Sequence, residues 1–193
     1  MGFRIVLASD SPRRKELLAR IVPIFVTVPA KADEVMDSES DPKDIAMTNA
    51  LRKARSVFRD HPGAIIIGAD TIVVLDNTIL GKPGDTEEAV SMLEALSGRT
   101  HRVITGVAVV NTENGTELTE FETTHVTFRE LSGDAIRHYA EGGTCLDKAG
   151  AYGIQDVGDD FVAMVDGDYE NVVGLPLNLV DILLKKMISD SRT

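Results

Sequence analysis

Ala64-Ile65-Ile66-Ile67-Gly68-Ala69-Asp70-Thr71-Ile72-Val73-Val74-Leu75 is almost wholly apolar and rich in β-branched residues, interrupted only by Gly68-Ala69-Asp70-Thr71. A run of this kind without polar alternation marks a strand buried on both faces, as at the centre of a sheet covered by helices. On its C-terminal side Asp76-Asn77 predicts a tight turn. Asp85 with Glu88 then resembles a capping box ahead of a helix carrying Ala89, Leu93 and Leu96, which Gly98 closes. On its N-terminal side Asp41-Pro42 starts a helix with Met47, Ala50, Leu51, Ala54, Val57 and Phe58 at helical spacing. Before that come a polar, acidic loop over Ala32–Asp44, a strand over Phe25–Val28, a helix opened by Ser11-Pro12, and a first strand over Phe3–Ala8.

Beyond Gly98 the pattern changes. Arg102–Asn111 and Leu118–Arg129 read as strands joined through Asn114-Gly115, a hairpin signal. A short helix over Ser132–Ala140, an irregular Gly-rich segment over Gly142–Gly158, a strand over Phe161–Val165 and a closing helix over Pro176–Ile188 complete the chain. Strands and helices alternate early and a hairpin comes late, which predicts an α/β fold with a mixed central sheet flanked by helices. With 193 residues, the chain fits a single domain over residues 1–193, with or without two lobes. Aromatics are 5% and Trp is absent, so Val, Ile, Leu and Ala must build the core.

The net charge of −11 sets the chain against nucleic acid and anionic lipid as partners. Any polyanion must be held by a few local cations and a metal. Cys145 is the sole cysteine, so neither an intramolecular disulfide nor a Cys-based zinc site is available. The apolar run at the start is too short for a signal segment or a membrane span, and a reducing, cytoplasmic setting is expected. Phosphate-loop, dinucleotide, nucleophile-elbow and HExxH motifs are missing, and His61, His101, His125 and His138 have no ligand-like spacing.

Several clusters still point to chemistry. Ser9-Asp10-Ser11-Pro12-Arg13-Arg14 places hydroxyls, paired guanidiniums and free N–H groups at a helix start, a setting that suits phosphate; an ordinary N-cap with solvated arginines explains the same residues. Asp70 is the sharper signal. A carboxylate within a doubly buried strand needs a metal or a donor as partner, unless it caps a bulge at Gly68. Lys82, between Gly81 and Pro83, stands on a stiff loop and reads equally as a phosphate contact or an exposed turn lysine. Lys53 alone reads as a solvated helix position, and Asp33-Glu34 as a solvated acidic loop or a metal contact. Asp147-Lys148-Ala149-Gly150-Ala151-Tyr152-Gly153-Ile154-Gln155 has the small residues of a loop wrapped on a ligand. Tyr169-Glu170-Asn171-Val172-Val173-Gly174-Leu175-Pro176 reads as a tight turn supporting it. Carboxylates able to hold a cation beside separate basic residues suit metal-assisted attack by water on a polyphosphate.

Taken in order, Leu7-Ala8-Ser9-x-Ser11-Pro12-Arg13-Arg14, Ala69-Asp70-Thr71, Ile79-Leu80-Gly81-Lys82-Pro83, Leu96-Ser97-Gly98 with His101-x-Val103-x-Thr105-Gly106-Val107, Asp147–Gln155 and Asn171-Val172-Val173-Gly174-Leu175-Pro176 closely resemble the Maf family of septum-formation-type nucleotide pyrophosphatases. The resemblance implies an elongated, two-lobed, inosine-triphosphatase-like fold with a central cleft, a homodimer, and a divalent cation (Mg, Mn or Co). It implies that Asp70 is the proton acceptor and that Ser9, Arg13, Arg14, Lys53, Lys82 and Lys148 meet the triphosphate. Glu34, Asp70 and Asp147 would hold the metal. Arg13, Thr71 and Gln155 match the class acting on dTTP and UTP. One alternative is a Maf-type pyrophosphatase acting on other modified nucleotides or on 7-methyl-GTP, the class with an aromatic residue where this chain has Arg13; a nucleotide-binding regulator of cell division is the other. Two positions depart from the family pattern. Gly143-Thr144-Cys145 lacks the usual Glu, unless Glu141 replaces it, and Asp156 follows Gln155 where Gly is common.

Overall fold

The computed structural model describes residues 3–35 and 40–190. Residues 36–39 of the expected acidic loop lie outside them. The elements, in order, are β1 (Arg4–Ala8), α1 (Pro12–Ala19), β2 (Val26–Val28), α2 (Pro42–Ser56), β3 (Ala64–Leu75), β4 (Thr78–Leu80), α3 (Thr86–Leu96), β5 (Thr100–Asn111), β6 (Glu117–Phe128), α4 (Gly133–Glu141), α5 (Ile154–Phe161), β7 (Val162–Asp166), α6 (Tyr169–Val173) and α7 (Leu177–Asp190). The seven strands form one mixed sheet in the order β2-β1-β3-β5-β6-β7, with β4 paired to β3. β1 runs parallel to both β2 and β3, whereas β3–β4 and β6–β7 are antiparallel. Among the described residues no helix is long and apolar enough to cross a membrane.

The chain divides into two compact units, and the long strands β3, β5 and β6 each contribute to both. The first unit takes in residues 1–70, 105–122 and 174–193. Its core gathers Val6 and Ala8 of β1, Ile66 of β3, Ala108 and Val110 of β5, and Ala50 and Ala54 of α2. α2 lies unusually close to the sheet because two strand residues are glycines. A Cβ on Gly68 would collide with the Ala50 carbonyl and stand 2.8 Å from the Ala54 nitrogen. A Cβ on Gly106 would meet the backbone of Ala46 and Met47 in the same way. Small residues on both partners therefore let backbone approach backbone.

The second unit takes in residues 71–104 and 123–173. Its β3–β4 hairpin turns at Asp76, whose φ of 53° lies in the left-handed region that Asp tolerates. Its core carries an edge-to-face aromatic group of His101, Phe128, Tyr152 and Phe161, with Tyr139 against Phe161.

Four expectations are corrected here. β3 is unbroken through Gly68-Ala69-Asp70-Thr71, because the glycine accommodates a helix rather than ending a strand. The segment expected to be irregular to Gly158 contains the start of α5, and the expected turn at Tyr169 is the short helix α6. Gly158 hid the helical pattern of α5 and the five residues of α6 are too few to show one, while the Asp168 side chain accepts the Asn171 N–H at 3.3 Å to steady α6. The expected capping box is shifted by one residue: Asp85 accepts the Glu88 N–H at 2.8 Å, but Glu88 reaches back to the Gly84 N–H at 2.7 Å.

Candidate functional site

The same geometry that brings α2 onto Gly68 determines the surroundings of Asp70. Residues two apart on a strand share a face, so Asp70 points to the side on which α2 lies. Asn49 and Lys53, four apart on α2, meet it there. Lys53 Nζ lies 2.5 Å from Asp70 Oδ1, and Asn49 Nδ2 donates to Asp70 Oδ2 at 3.1 Å. Asp70 is only 4% exposed. A buried carboxylate is costly without compensation, and here a cation and a neutral donor supply it. Lys53 Nζ also donates to Glu34 Oε1 at 2.8 Å. The reading of Lys53 as a solvated helix lysine is thereby overturned, since its side chain is 13% exposed and bridges two carboxylates.

Asn49 was not singled out by its sequence context. Its amide oxygen accepts the Val35 N–H at 2.8 Å and its nitrogen donates to the Val35 carbonyl at 3.1 Å. A signal was present: Asn49 is a lone polar residue on the buried stripe Ile45, Ala46, Ala50, Ala54 of α2. In the sequence Gly174 reads only as part of a turn. Its carbonyl accepts Arg14 Nε at 2.8 Å, and its φ of 125° requires glycine. Burial pulls the Arg14 guanidinium down from its ordinary value, while the Asp70 and Glu34 carboxylates act in the opposite direction and Arg13 adds to the lowering. Ser9 is buried and its Oγ accepts the Ser11 N–H at 3.2 Å; Ser11 in turn caps α1, as its sequence predicted. The first unit therefore assembles Asp70, Lys53, Glu34, Asn49 and Arg14, with Ser9 and Arg13 at the start of α1.

The second unit holds the other candidates. Lys148 is nearly buried. Its Nζ donates to the Thr144 carbonyl, lies 2.8 Å from Asp147 Oδ1 and 3.5 Å from Asp156 Oδ2. Both departures from the family pattern thus contact one lysine: the Thr144 backbone oxygen stands in the loop that lacks the usual Glu, and Asp156 adds a second carboxylate. Glu141 is exposed at the end of α4. Gln155 is exposed in the first turn of α5, and Lys82 is exposed just after β4. The Gly150 N–H donates to the Gly81 carbonyl at 3.0 Å, joining the loop of Lys82 to the loop of Lys148. Thr71 is partly buried on β3, two residues before Val73, which packs against Gly150.

The loop preceding Gln155 is anchored by Tyr152. Its hydroxyl lies 2.7 Å from His101 Nε2, and burial raises its pKa while lowering that of His101 to about 4. His101 is therefore neutral at neutral pH, and it is packed rather than catalytic, in keeping with its spacing. The next residue, Gly153, donates its N–H to the Tyr139 hydroxyl at 3.2 Å.

Among the described residues, no three His, Cys, Asp or Glu side chains converge to hold a metal on their own. Glu34 and Asp70, joined through Lys53, form a two-carboxylate donor set. Hard cations such as Mg²⁺ commonly bind one or two carboxylates and complete their shell with water and substrate phosphates, so this donor set fits such an ion.

Comparison with known proteins gives a consistent picture. The family model for Maf-like protein matches residues 4–187. A dTTP/UTP pyrophosphatase of Symbiobacterium thermophilum is 49% identical over 91% of this chain and 89% of its own length. A dTTP/UTP pyrophosphatase of Bacillus mycoides is 46% identical over 97% of each. The solved structure of the Staphylococcus aureus Ham1 protein aligns with a TM-score of 0.56 and 14% identity, over 95% of this chain and 99% of that one, a likeness of fold alone. With the family model spanning nearly the whole sequence and relatives close to half identical, the chain belongs to the Maf-like protein family.

Proposed function

We propose that this protein hydrolyses dTTP and UTP to the nucleoside monophosphate and pyrophosphate. The observation that carries the reading is Asp70, a buried carboxylate held between Lys53 and Asn49 beside Glu34 and Arg14. Family membership and the names of the relatives support it.

In this reading Asp70 accepts a proton from the water that attacks the α-phosphorus. The P–O bond to the bridging oxygen breaks, and pyrophosphate leaves with the electron pair. Lys53, Arg13, Arg14, Lys82 and Lys148 bind the triphosphate and offset the charge that grows on the leaving group. The Ser9 hydroxyl adds a phosphate contact. Glu34 and Asp70 would hold a divalent cation such as Mg²⁺, Mn²⁺ or Co²⁺, and Asp147 is a further candidate ligand by the family resemblance alone. When bound, such an ion supplies polarisation of the phosphates and charge neutralisation. A phosphate engaging Lys148 competes with Asp147 and Asp156 for it, so binding exchanges one set of charged partners for another.

Arg13, Thr71 and Gln155 select the base. The edge of uracil or thymine presents two carbonyl acceptors around one N–H donor, and a Gln amide supplies one donor and one acceptor to match part of it. Arg13 stands where an aromatic residue would mark the class acting on 7-methyl-GTP. We further propose a homodimer acting in the cytoplasm, readings supported respectively by the family resemblance and by the lone cysteine, and tested by sedimentation and by fractionation.

The test is a panel of dTTP, UTP, CTP, GTP and 7-methyl-GTP with product analysis, with and without chelator. dTTP and UTP should have the highest kcat/KM, and chelation should abolish turnover until metal is restored. A preference for 7-methyl-GTP, or undiminished turnover in chelator, overturns the reading.

A further inference from the structure

We infer that Asn49 is a positioning residue for Asp70, whose carboxylate it ties to the backbone beside Glu34. The inference rests on the reading of Asp70 as the proton acceptor.

Asn49 is 1% exposed on an otherwise apolar stripe of α2. A primary amide is retained in such a place at a cost unless its donors and acceptor are used. Here all are engaged. Oδ1 accepts the Val35 N–H at 2.8 Å; one N–H goes to the Val35 carbonyl at 3.1 Å and the other to Asp70 Oδ2 at 3.1 Å. The network also determines which way the amide faces. Turned over, it would set N–H against the Val35 N–H, and oxygen against both the Val35 carbonyl and the Asp70 carboxylate.

Three consequences follow from this placement. First, Asp70 is held by two donors from one helix, Lys53 on Oδ1 and Asn49 on Oδ2, so rotation of the carboxylate about its terminal bond breaks both contacts together. Each oxygen still has a second lone pair for water or a cation. Second, Asn49 orients as a neutral donor. Third, Val35 follows Glu34, so the amide pins the backbone from which the second carboxylate on Lys53 extends. A base held in this way meets the geometric demand of proton transfer, where small misplacement costs rate rather than binding.

Asn49→Leu keeps the approximate volume and removes all three hydrogen bonds. Its kcat on dTTP should fall roughly tenfold to a hundredfold, the scale of one lost hydrogen bond to a charged group. KM should stay within about threefold, as expected when only the reacting geometry is lost. A wild-type kcat, or a KM rising along with the fall in kcat, assigns Asn49 to support of the Val35 backbone alone and overturns the inference. NMR of the Asn49 side-chain amide keeps the test open if that variant fails to fold. In the folded Asp70→Asn protein, one of the two amide protons should move upfield and the other stay; unmoved resonances overturn the inference. Failure of the underlying reading looks different: there Asp70→Asn itself turns over dTTP normally.

Discussion

Replacing Asp70 by Asn retains the shape of the side chain and removes its charge, so its effects on folding and on turnover can be worked separately. In the folded protein Asp70 Oδ1 stands 2.5 Å from Lys53 Nζ, with Asp70 and Lys53 side chains 6% and 13% exposed. Removing one partner of a fully buried pair costs about 3–5 kcal/mol. Lys53 keeps Glu34 at 2.8 Å, however, and that side chain is 39% exposed, so the lysine is not left without compensation. The Asn oxygen can also still accept from Lys53. A loss of about 2 kcal/mol is expected, lowering Tm by roughly 4–8 °C for a chain of this length. Turnover should suffer more. Loss of a positioned general base commonly costs about two to four orders of magnitude, a barrier increase of about 3–5 kcal/mol. Steady-state kinetics on dTTP at 25 °C, beside a thermal melt and calorimetric binding of dTTP, separate the two effects. The expected outcome is a folded protein that binds dTTP within about tenfold of wild type and turns it over at least a hundredfold more slowly. Near-normal turnover in a folded Asp70→Asn protein would refute the role given to Asp70.

Three further outcomes are expected. Gln155→Ala should lower kcat/KM on dTTP and UTP roughly tenfold to a hundredfold, the value of one matched hydrogen bond, and narrow the gap to other bases; an unchanged base ranking in competition assays refutes the pocket assignment. His101 has a folded pKa of about 4, below its unfolded value of 6.5, so the unfolded chain binds its proton first as pH falls. The stabilisation is complete above pH 6.5 and is lost on the way to pH 4, a change of about 3 kcal/mol; urea melts across that window should show the slope in wild type and a shallower one in His101→Phe. Gly68→Ala places a methyl group against the Ala50 carbonyl and Ala54 nitrogen, and since backbone cannot rotate away as a side chain can, it should cost about 3 kcal/mol by thermal melt.

The fold was legible where its causes are local. The apolar run of β3, the Ser11-Pro12 start of α1, the Asn114-Gly115 turn and the helical spacing on α2 all express backbone preference or periodicity within a few residues, and each element appears close to its expected place. α5 was obscured because Gly158 interrupts its helical signature, and α6 because five residues are too few to show a period. The candidate site divides in the same way. Asp70 announced itself, since a carboxylate in a doubly buried strand demands a partner, but the partner's identity lies 17 and 21 positions away in Lys53 and Asn49. What brings them together is Gly68, whose missing Cβ lets α2 settle on the strand. Read in isolation, Lys53 was indistinguishable from a solvated lysine, and Asn49 showed only as a polar break in an apolar stripe.

The reaction assigned to this protein makes a specific statement about where the oxygen of water goes. Turnover of dTTP in ¹⁸O-labelled water, with both products analysed by mass spectrometry, tests it directly. Attack at the α-phosphorus predicts one labelled oxygen in the phosphate of dTMP and none in pyrophosphate, the two products forming in equal amounts. Label in pyrophosphate, or the appearance of dTDP with labelled inorganic phosphate, would contradict the account.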